Sequence, residues 1–238
     1  MLYLLLNVAV ISLPLAFSWH PKIKFFHAWK SFWPACLLVL AGFIAWDVYF
    51  THIGIWGFNG AYLVGWPIFG LPIEEWLFFI CIPYACVFTY YVLKSGHTRE
   101  LGGKGKVILA FFGVVALLLG VLNVEKAYTV SATIPSALLI GYWLWKKPPW
   151  LGALMKTFMI LIPAFVITNG VLTGPFFWEW SVINSQPELI LDPVVWYNTA
   201  ENLGVRLFSI PFDDFFYGFL LIGLNVTVFE SFQKRVTY

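Results

Sequence analysis

Charge is what this chain has least of. Lys, Arg, Asp and Glu supply 11% of its 238 residues, against 61% hydrophobic residues, and the mean hydropathy is +0.82. A soluble domain carries about 25% charged residues, so this balance excludes one. Cysteine is also scarce. Cys36, Cys81 and Cys86 each sit inside an apolar run and no CxxC pair occurs, which reads as buried thiols and not as a disulfide or metal site. There is no GxGxxG fingerprint for a dinucleotide. The first residues lack the basic stretch of a cleaved secretory signal, so Met1–Trp19 is read as a retained first helix. The last apolar run contains no Lys, which counts against a retinal-binding rhodopsin.

What is present is hydrophobic length. A membrane helix needs about 20 predominantly apolar residues. Seven runs qualify: Met1–Trp19, Phe32–Phe50, Ile73–Leu93, Val107–Asn123, Ser131–Trp145, Gly152–Thr173 and Asp213–Phe229. The fifth is the weakest, being short and carrying Pro135. Basic residues set the orientation, because they collect on the cytoplasmic side. Of the 14 Lys and Arg, 12 fall in alternate loops: Lys22, Lys24, Lys30; Lys94, Arg99, Lys104, Lys106; Lys146, Lys147, Lys156; Lys234 and Arg235. Only Lys126 and Arg206 lie on the other side. The sequence therefore predicts an all-α integral membrane protein of seven transmembrane helices, N-terminus outside and C-terminus inside. The lipid bilayer is its expected environment, and nucleic acid is not an expected partner.

Two stretches superimpose at one constant offset. Leu71-Pro72-Ile73-Glu74-Glu75 matches Ile210-Pro211-Phe212-Asp213-Asp214, Phe58-Asn59 matches Tyr197-Asn198, and Gly65 matches Gly204, all 139 positions apart. With seven spans the third and seventh run in the same direction, so the duplication reads as parallel. A first repeat over residues 1–93 and a second over 131–238 are then joined by a connector, residues 94–130, containing helix 4. Asp47 near the end of helix 2 and Asn169 near the end of helix 6 fall on the same outer side, with Thr51 and Thr173 following each at equal spacing.

Each acidic pair opens an apolar helix, where a carboxylate is expensive and therefore a functional candidate. A structural alternative exists, since Pro followed by Glu or Asp is ordinary helix-start chemistry that satisfies free backbone N–H groups. The helix dipole favours the ionised form by about 0.3–1 kcal/mol. Burial and a neighbouring acid act against it, so converging pairs are expected to retain a proton. Adjacent helical residues diverge by about 100°, and only one acid of each pair is expected to face a shared cavity. The outer segments 51–72 and 174–211 are expected to form aromatic lids or re-entrant turns. The same outer layer holds Trp56, Phe58, Trp66, Phe69, Trp76, Trp178, Trp180, Trp196 and Tyr197, which supply an interfacial belt and walls able to face a cation. A buried acid beside aromatic walls can protonate an alkene and steer the carbocation.

At Trp46-Asp47, Gly54-Ile55-Trp56, Phe58-Asn59 and Pro72-Ile73-Glu74-Glu75, the chain resembles the membrane-integral lycopene cyclase family. The second half adds Tyr197-Asn198, Pro211-Phe212-Asp213-Asp214, Tyr217-Gly218, Asn225 and Glu230. Both copies in one polypeptide resemble the fused two-repeat form, and a chain ending at Tyr238 is expected to lack the phytoene synthase domain of fungal members. The resemblance implies a lycopene β-cyclase, an isomerase or intramolecular lyase of carotenoid biosynthesis that turns lycopene into β-carotene without a cofactor or a metal. It implies residence in the cytoplasmic membrane of a prokaryote and association with other carotenoid-pathway enzymes. Glu74, Glu75, Asp213, Asp214 and Asp47 become candidate catalytic residues. Trp56, Phe58, Asn59, Asn169, Tyr197, Asn198 and Tyr217 become candidate contacts to the carotene.

Two departures from the family pattern suggest unequal halves: the second motif is Asp-Asp, and Asn169 stands where the first half has Asp47. Two other functions compete. A Mg²⁺-dependent membrane prenyltransferase would use acidic pairs to hold a metal-diphosphate, but needs more acids along its helices and cations for the phosphates. A carotenoid- or quinone-binding membrane protein without enzymatic activity would tolerate neutralised acids.

Overall fold

The computed structural model describes residues 1–96 and 100–236. Arg99 and the side chains of Lys234 and Arg235 lie outside the described residues. Seven helices form where the apolar runs predict them: α1 Leu2–Phe17, α2 Trp29–His52, α3 Ile73–Gly96, α4 Gly103–Leu122, α5 Ala127–Lys146, α6 Leu151–Thr173 and α7 Phe212–Val236. Pro14, Pro34, Pro83, Pro135 and Pro163 all stay inside helices. Neighbouring helices and side-chain hydroxyls make such residues tolerable in an apolar bundle.

Among the described residues, the segments Phe25–His52, Ile73–Lys94, Gly103–Leu122, Leu151–Thr173 and Phe212–Gln233 are long and apolar enough to cross a membrane. Helix α1 is apolar but only 16 residues long. Helix α5 begins four residues before the expected Ser131 and gains Tyr128 and Thr129. Its polar face is buried, and its hydroxyls bond both within the helix and across to α7. Thr133 Oγ1 donates to Thr129 O at 2.6 Å, while Ser136 Oγ reaches both Ala132 O at 2.7 Å and Phe216 O of α7 at 3.1 Å.

The packing is reciprocal. Helix α1 packs on α3 and α5 on α7, while α2 crosses to α7 and α6 crosses to α3. At one end of the bundle the two long outer segments form short antiparallel strands: β1 Trp56–Phe58, β2 Pro67–Ile68, β3 Leu71–Pro72, β4 Ile183–Asn184, β5 Val195–Tyr197, β6 Arg206–Leu207 and β7 Ile210–Pro211. Strand β2 pairs with β3, and β6 with β7, in the same register. Strands β1 and β5 pair with each other, Trp56 opposite Tyr197, Gly57 opposite Trp196 and Phe58 opposite Val195. Flanking bonds match too, Asn59 N to Val194 O at 2.9 Å and Asn198 N to Ile55 O at 2.8 Å. The expected aromatic lids are thus hydrogen-bonded hairpins and a shared ribbon. Trp66, Phe69 and Trp178 remain largely exposed on their surface, as an interfacial belt requires.

At the opposite end, buried Glu230 of α7 accepts from Tyr90 Oη at 2.7 Å and Lys94 Nζ at 2.6 Å, both on α3. Asn225, one turn above, donates to Leu221 O at 2.9 Å within its own helix. Cys36, Cys81 and Cys86 are free and buried.

Helix α4 docks on α5 through small residues, Gly113, Ala116 and Gly120, all buried. A Cβ on Gly120 would lie 2.5 Å from Ile134 Cδ1 and 2.7 Å from Thr133 Oγ1. Small residues at such contacts let helices approach where lipid removes the hydrophobic drive. Gly120→Ile is therefore expected to cost about 1–3 kcal/mol, the usual penalty of overpacking, and to lower the thermal midpoint of the purified protein in detergent. Gly141→Ile is the control, because beyond the backbone of its own helix turn and its chain neighbours nothing described lies within 4 Å of a Cβ built there. Equal midpoints for the two variants would contradict this account of the α4–α5 contact.

Candidate active site

Pro72 and Pro211 end the hairpins and hand the chain directly to α3 and α7, so each acidic pair occupies a first helical turn. All four carboxyl groups are buried. The two acids of a pair then diverge, as helical rotation dictates. Glu74 turns back toward its loop, where Oε1 accepts from Val64 N at 2.6 Å. Asp213 does the same, Oδ2 accepting from Leu203 N at 3.1 Å and Oδ1 from Thr129 Oγ1 at 2.5 Å. These two acids hold loop to helix.

Glu75 and Asp214 turn inward and, with Asp47, line one cavity of about 320 Å³. Ligand pockets occupy this size range. Each inward acid has a tyrosine from the first turn of a neighbouring helix. Tyr3 Oη of α1 donates to Glu75 Oε2, and Tyr128 Oη of α5 to Asp214 Oδ1, both at 2.5 Å. Asp214 Oδ2 also accepts from Asn169 Nδ2 at 2.7 Å and Tyr197 Oη at 3.0 Å. Asp47 Oδ1 accepts from Trp56 Nε1 at 2.5 Å, while Oδ2 is buried without a hydrogen-bond partner among the described residues, beside Glu75 in the same cavity lining.

Aromatic rings wall the acidic end. Trp56 meets Tyr128 at 5.0 Å and Tyr217 at 6.2 Å between centroids, and Tyr128 stacks on Tyr197 at 5.8 Å. Phe58 lines the same wall. Away from the acids the lining is apolar, with Ile82, Ala85, Cys86, Leu161, Phe165, Leu221 and Ile222, and it reaches Thr89 on α3. Glu75 to Thr89 is about 21 Å at the helical rise of 1.5 Å per residue. The site is a long apolar corridor closed by acids and rings. It can accept an extended hydrocarbon and present its tip to a carboxyl group.

Of the residues singled out from sequence, Asp47, Glu75, Asp214, Trp56, Phe58, Asn169, Tyr197 and Tyr217 meet at this cavity. Glu74, Asp213, Asn59 and Asn198 are not among its lining residues. Asn59 and Asn198 cap short 3-10 turns, each Oδ1 accepting from the backbone N two residues on, Ala61 at 3.0 Å and Ala200 at 3.1 Å. Asn59 also donates to Asp192 at 2.6 Å. Asp192 accepts from Tyr62 as well, and this hydrogen bond raises the exposed Tyr62 phenol above its ordinary range. Sequence reasoning missed Tyr3 and Tyr128. Both are tyrosines in the first turns of α1 and α5, the helices that pack on the two acidic helices, and that shared position is the signal that could have found them.

Arg206 lies behind the second half of the site. It is 5% exposed, donates from Nη1 to Ser209 O at 2.8 Å, and places its guanidinium carbon 5.6 Å from the Tyr197 ring centre. Burial lowers its pKa from the ordinary guanidinium value. Its counterpart 139 positions earlier is Pro67, paired with Pro72 as Arg206 is with Pro211.

No curated protein and no solved structure matches the chain. A family model does, under the description Lycopene cyclase, over residues 1–93 and 109–232. That match takes in both halves of the cavity and every carboxyl group in it. The chain belongs to the lycopene cyclase family.

Proposed function

We propose that this protein is a lycopene β-cyclase, converting lycopene into β-carotene by acid catalysis with no flavin, nicotinamide or metal. The observation that carries the reading is the placement of Asp47, Glu75 and Asp214 at the closed end of an apolar corridor walled by Trp56, Tyr128, Tyr197 and Tyr217. A neutral carboxyl group donates its proton to the terminal double bond of the carotene and leaves a tertiary cation. The neighbouring double bond attacks that cation and closes the ring. A carboxylate then removes a ring proton, and its electrons become the ring double bond. The substrate gains one proton and loses one, so the net change is an isomerisation. The faces of Trp56, Tyr197 and Tyr217 stabilise the passing cation through their π electrons, in a cavity where water would otherwise capture it.

The same reading places seven helices across the cytoplasmic membrane of a prokaryote with the acids near the outer face. Lys22, Lys24, Lys30, Lys94, Lys104, Lys106, Lys146, Lys147 and Lys156 gather at the end remote from the acids, which supports that orientation. The matched hairpins and reciprocal helix packing support a first repeat over residues 1–93 and a second over 131–238, joined by 94–130. Association with other carotenoid-pathway enzymes is part of the proposal.

The inward and outward acids are expected to behave differently. Glu75→Gln and Asp214→Asn should each reduce β-ring formation at least about 10²-fold, the low end for losing a general acid or base. Glu74→Gln and Asp213→Asn should mainly cost stability, about 0.5–2 kcal/mol as for a lost helix cap. Pigment analysis in cells making lycopene, with protein levels measured in membranes, checks both. Normal β-carotene from well-expressed Glu75→Gln and Asp214→Asn would remove the catalytic assignment.

The purified protein in lipid vesicles loaded with lycopene is expected to form β-carotene in buffer alone, at a rate unchanged by a chelator. Turnover lost on chelation and restored by Mg²⁺ would favour a prenyltransferase-like metal site instead.

A further inference from the structure

The two halves of the cavity are built alike but furnished oppositely. In the cavity with Glu75 the first half supplies a second carboxyl, Asp47, and an unfunctionalised ring, Phe58, and at the hairpin position matching Arg206 it has an exposed, neutral Pro67. At the matching places around Asp214 the second half supplies an amide, Asn169, a phenol, Tyr197, and a cation, Arg206. Each replacement moves in the same electrical direction.

The hydrogen bonds follow. Asp214 accepts three from fixed donors, Tyr128, Asn169 and Tyr197, at 2.5, 2.7 and 3.0 Å. An ionised carboxylate only accepts, and three donors satisfy it in that form. The Asp47–Glu75 pair has two donors for four oxygens, Trp56 on Asp47 Oδ1 and Tyr3 on Glu75 Oε2. Asp47 Oδ2 is buried with no donor among the described residues. A proton shared with the facing Glu75 supplies one, and it relieves the repulsion of two carboxylates in an apolar cavity.

We infer that the site has divided its proton chemistry, the Asp47–Glu75 pair giving the proton that opens the reaction and Asp214 taking the proton that closes it. This assignment rests on the cyclase reading above. Its steps balance. The proton leaves the Asp47–Glu75 pair and bonds to the less substituted carbon of the terminal alkene, using that alkene's electron pair. Ring closure forms one carbon–carbon bond and moves the cation to the ring carbon. Asp214 removes the proton from the adjacent ring carbon, and the electrons of that C–H bond form the ring double bond. Each ring leaves the first pair one proton short and Asp214 one proton richer, a difference that exchange with solvent resets. Arg206 touches no reacting atom and acts as a positioning residue, holding Tyr197 against Asp214.

The place of the ring double bond reports which group acts last, because the cyclic cation can lose a proton from three neighbouring carbons. Without the base at its proper place, loss from the other ring carbon or from the methyl group yields isomeric rings. Asp214→Asn is therefore expected to give residual product enriched at least several-fold in rings with a displaced or exocyclic double bond, whereas the trace product of Glu75→Gln keeps the β-ring. Tyr197→Phe and Arg206→Gln, which leave every cavity carboxyl in place, should give the same displaced rings as a minor fraction. Chromatographic separation of the ring isomers, with the thermal midpoint measured for each variant, is the experiment. If Asp214→Asn does not fold, Tyr197→Phe decides: a ring composition identical to that of the parent protein overturns the assignment. So does displacement caused by Glu75→Gln and not by Asp214→Asn. A parent protein that forms no rings from any linear carotene would instead refute the cyclase reading itself.

Discussion

The ribbon between Trp56–Phe58 and Val195–Tyr197 is the contact on which the rest of the architecture depends. Each strand lies within a segment linking two helices, α2 to α3 and α6 to α7, so their pairing ties the two connections together. The apolar setting makes the pairing obligatory. Buried backbone groups must find partners within the protein, and in this ribbon each three-residue strand supplies the other's. Their close approach at the centre needs Gly57, where a Cβ would lie 2.3 Å from the Trp196 ring. From this ribbon Trp56 reaches down to Asp47 and Tyr197 to Asp214. The walls of the cavity and the partners of its acids are thus set by one piece of backbone.

Five carboxyl groups lie buried at this end of the molecule, and their surroundings sort them into two kinds. Glu74 and Asp213 accept from loop N–H groups, stabilising the hairpin where it meets the helix, in keeping with the positive end of a helix dipole. Asp47, Glu75 and Asp214 accept from side chains around the cavity and face its interior. Burying a polar group is costly unless it is partnered, and here the partners, the Asn169 amide apart, are rings that also form the wall. Satisfying the acids and shaping the cavity are therefore the same act, done by Tyr3, Trp56, Tyr128 and Tyr197.

Much of the fold was legible along the chain. All seven helices begin within four residues of their apolar runs, α4 and α5 departing most by starting at Gly103 and Ala127. The fifth run, the weakest in the sequence, does form a helix around Pro135 but is not among the described segments long and apolar enough to cross a membrane; α4 packs on it through Gly113 and Gly120, and Ser136 ties it to α7. The site was legible in part. That one acid of each pair turns inward followed from helix geometry, but which one did not. Asn59 and Asn198 drew notice by their matching positions, yet an Asn before a tight turn has work of its own. Tyr3 and Tyr128 went unnoticed because their motif lies in neither acidic segment.

The sequence by itself determined where hydrophobic length is sufficient to form a helix, which side of each loop carries charge, and that two acidic motifs recur at one offset. These are properties of neighbouring residues, and hydropathy and spacing express them directly. Only the tertiary structure decided that Glu75 and Asp214 share a cavity while Glu74 and Asp213 brace their loops. The same is true of the half that gained an amide, a phenol and a cation, for Asn169, Tyr197 and Arg206 come from three different elements. The reason is physical: a helix turns about 100° per residue, so a side chain's direction depends on how the whole helix is rotated against its neighbours, and that rotation is set by contacts between residues far apart in the chain.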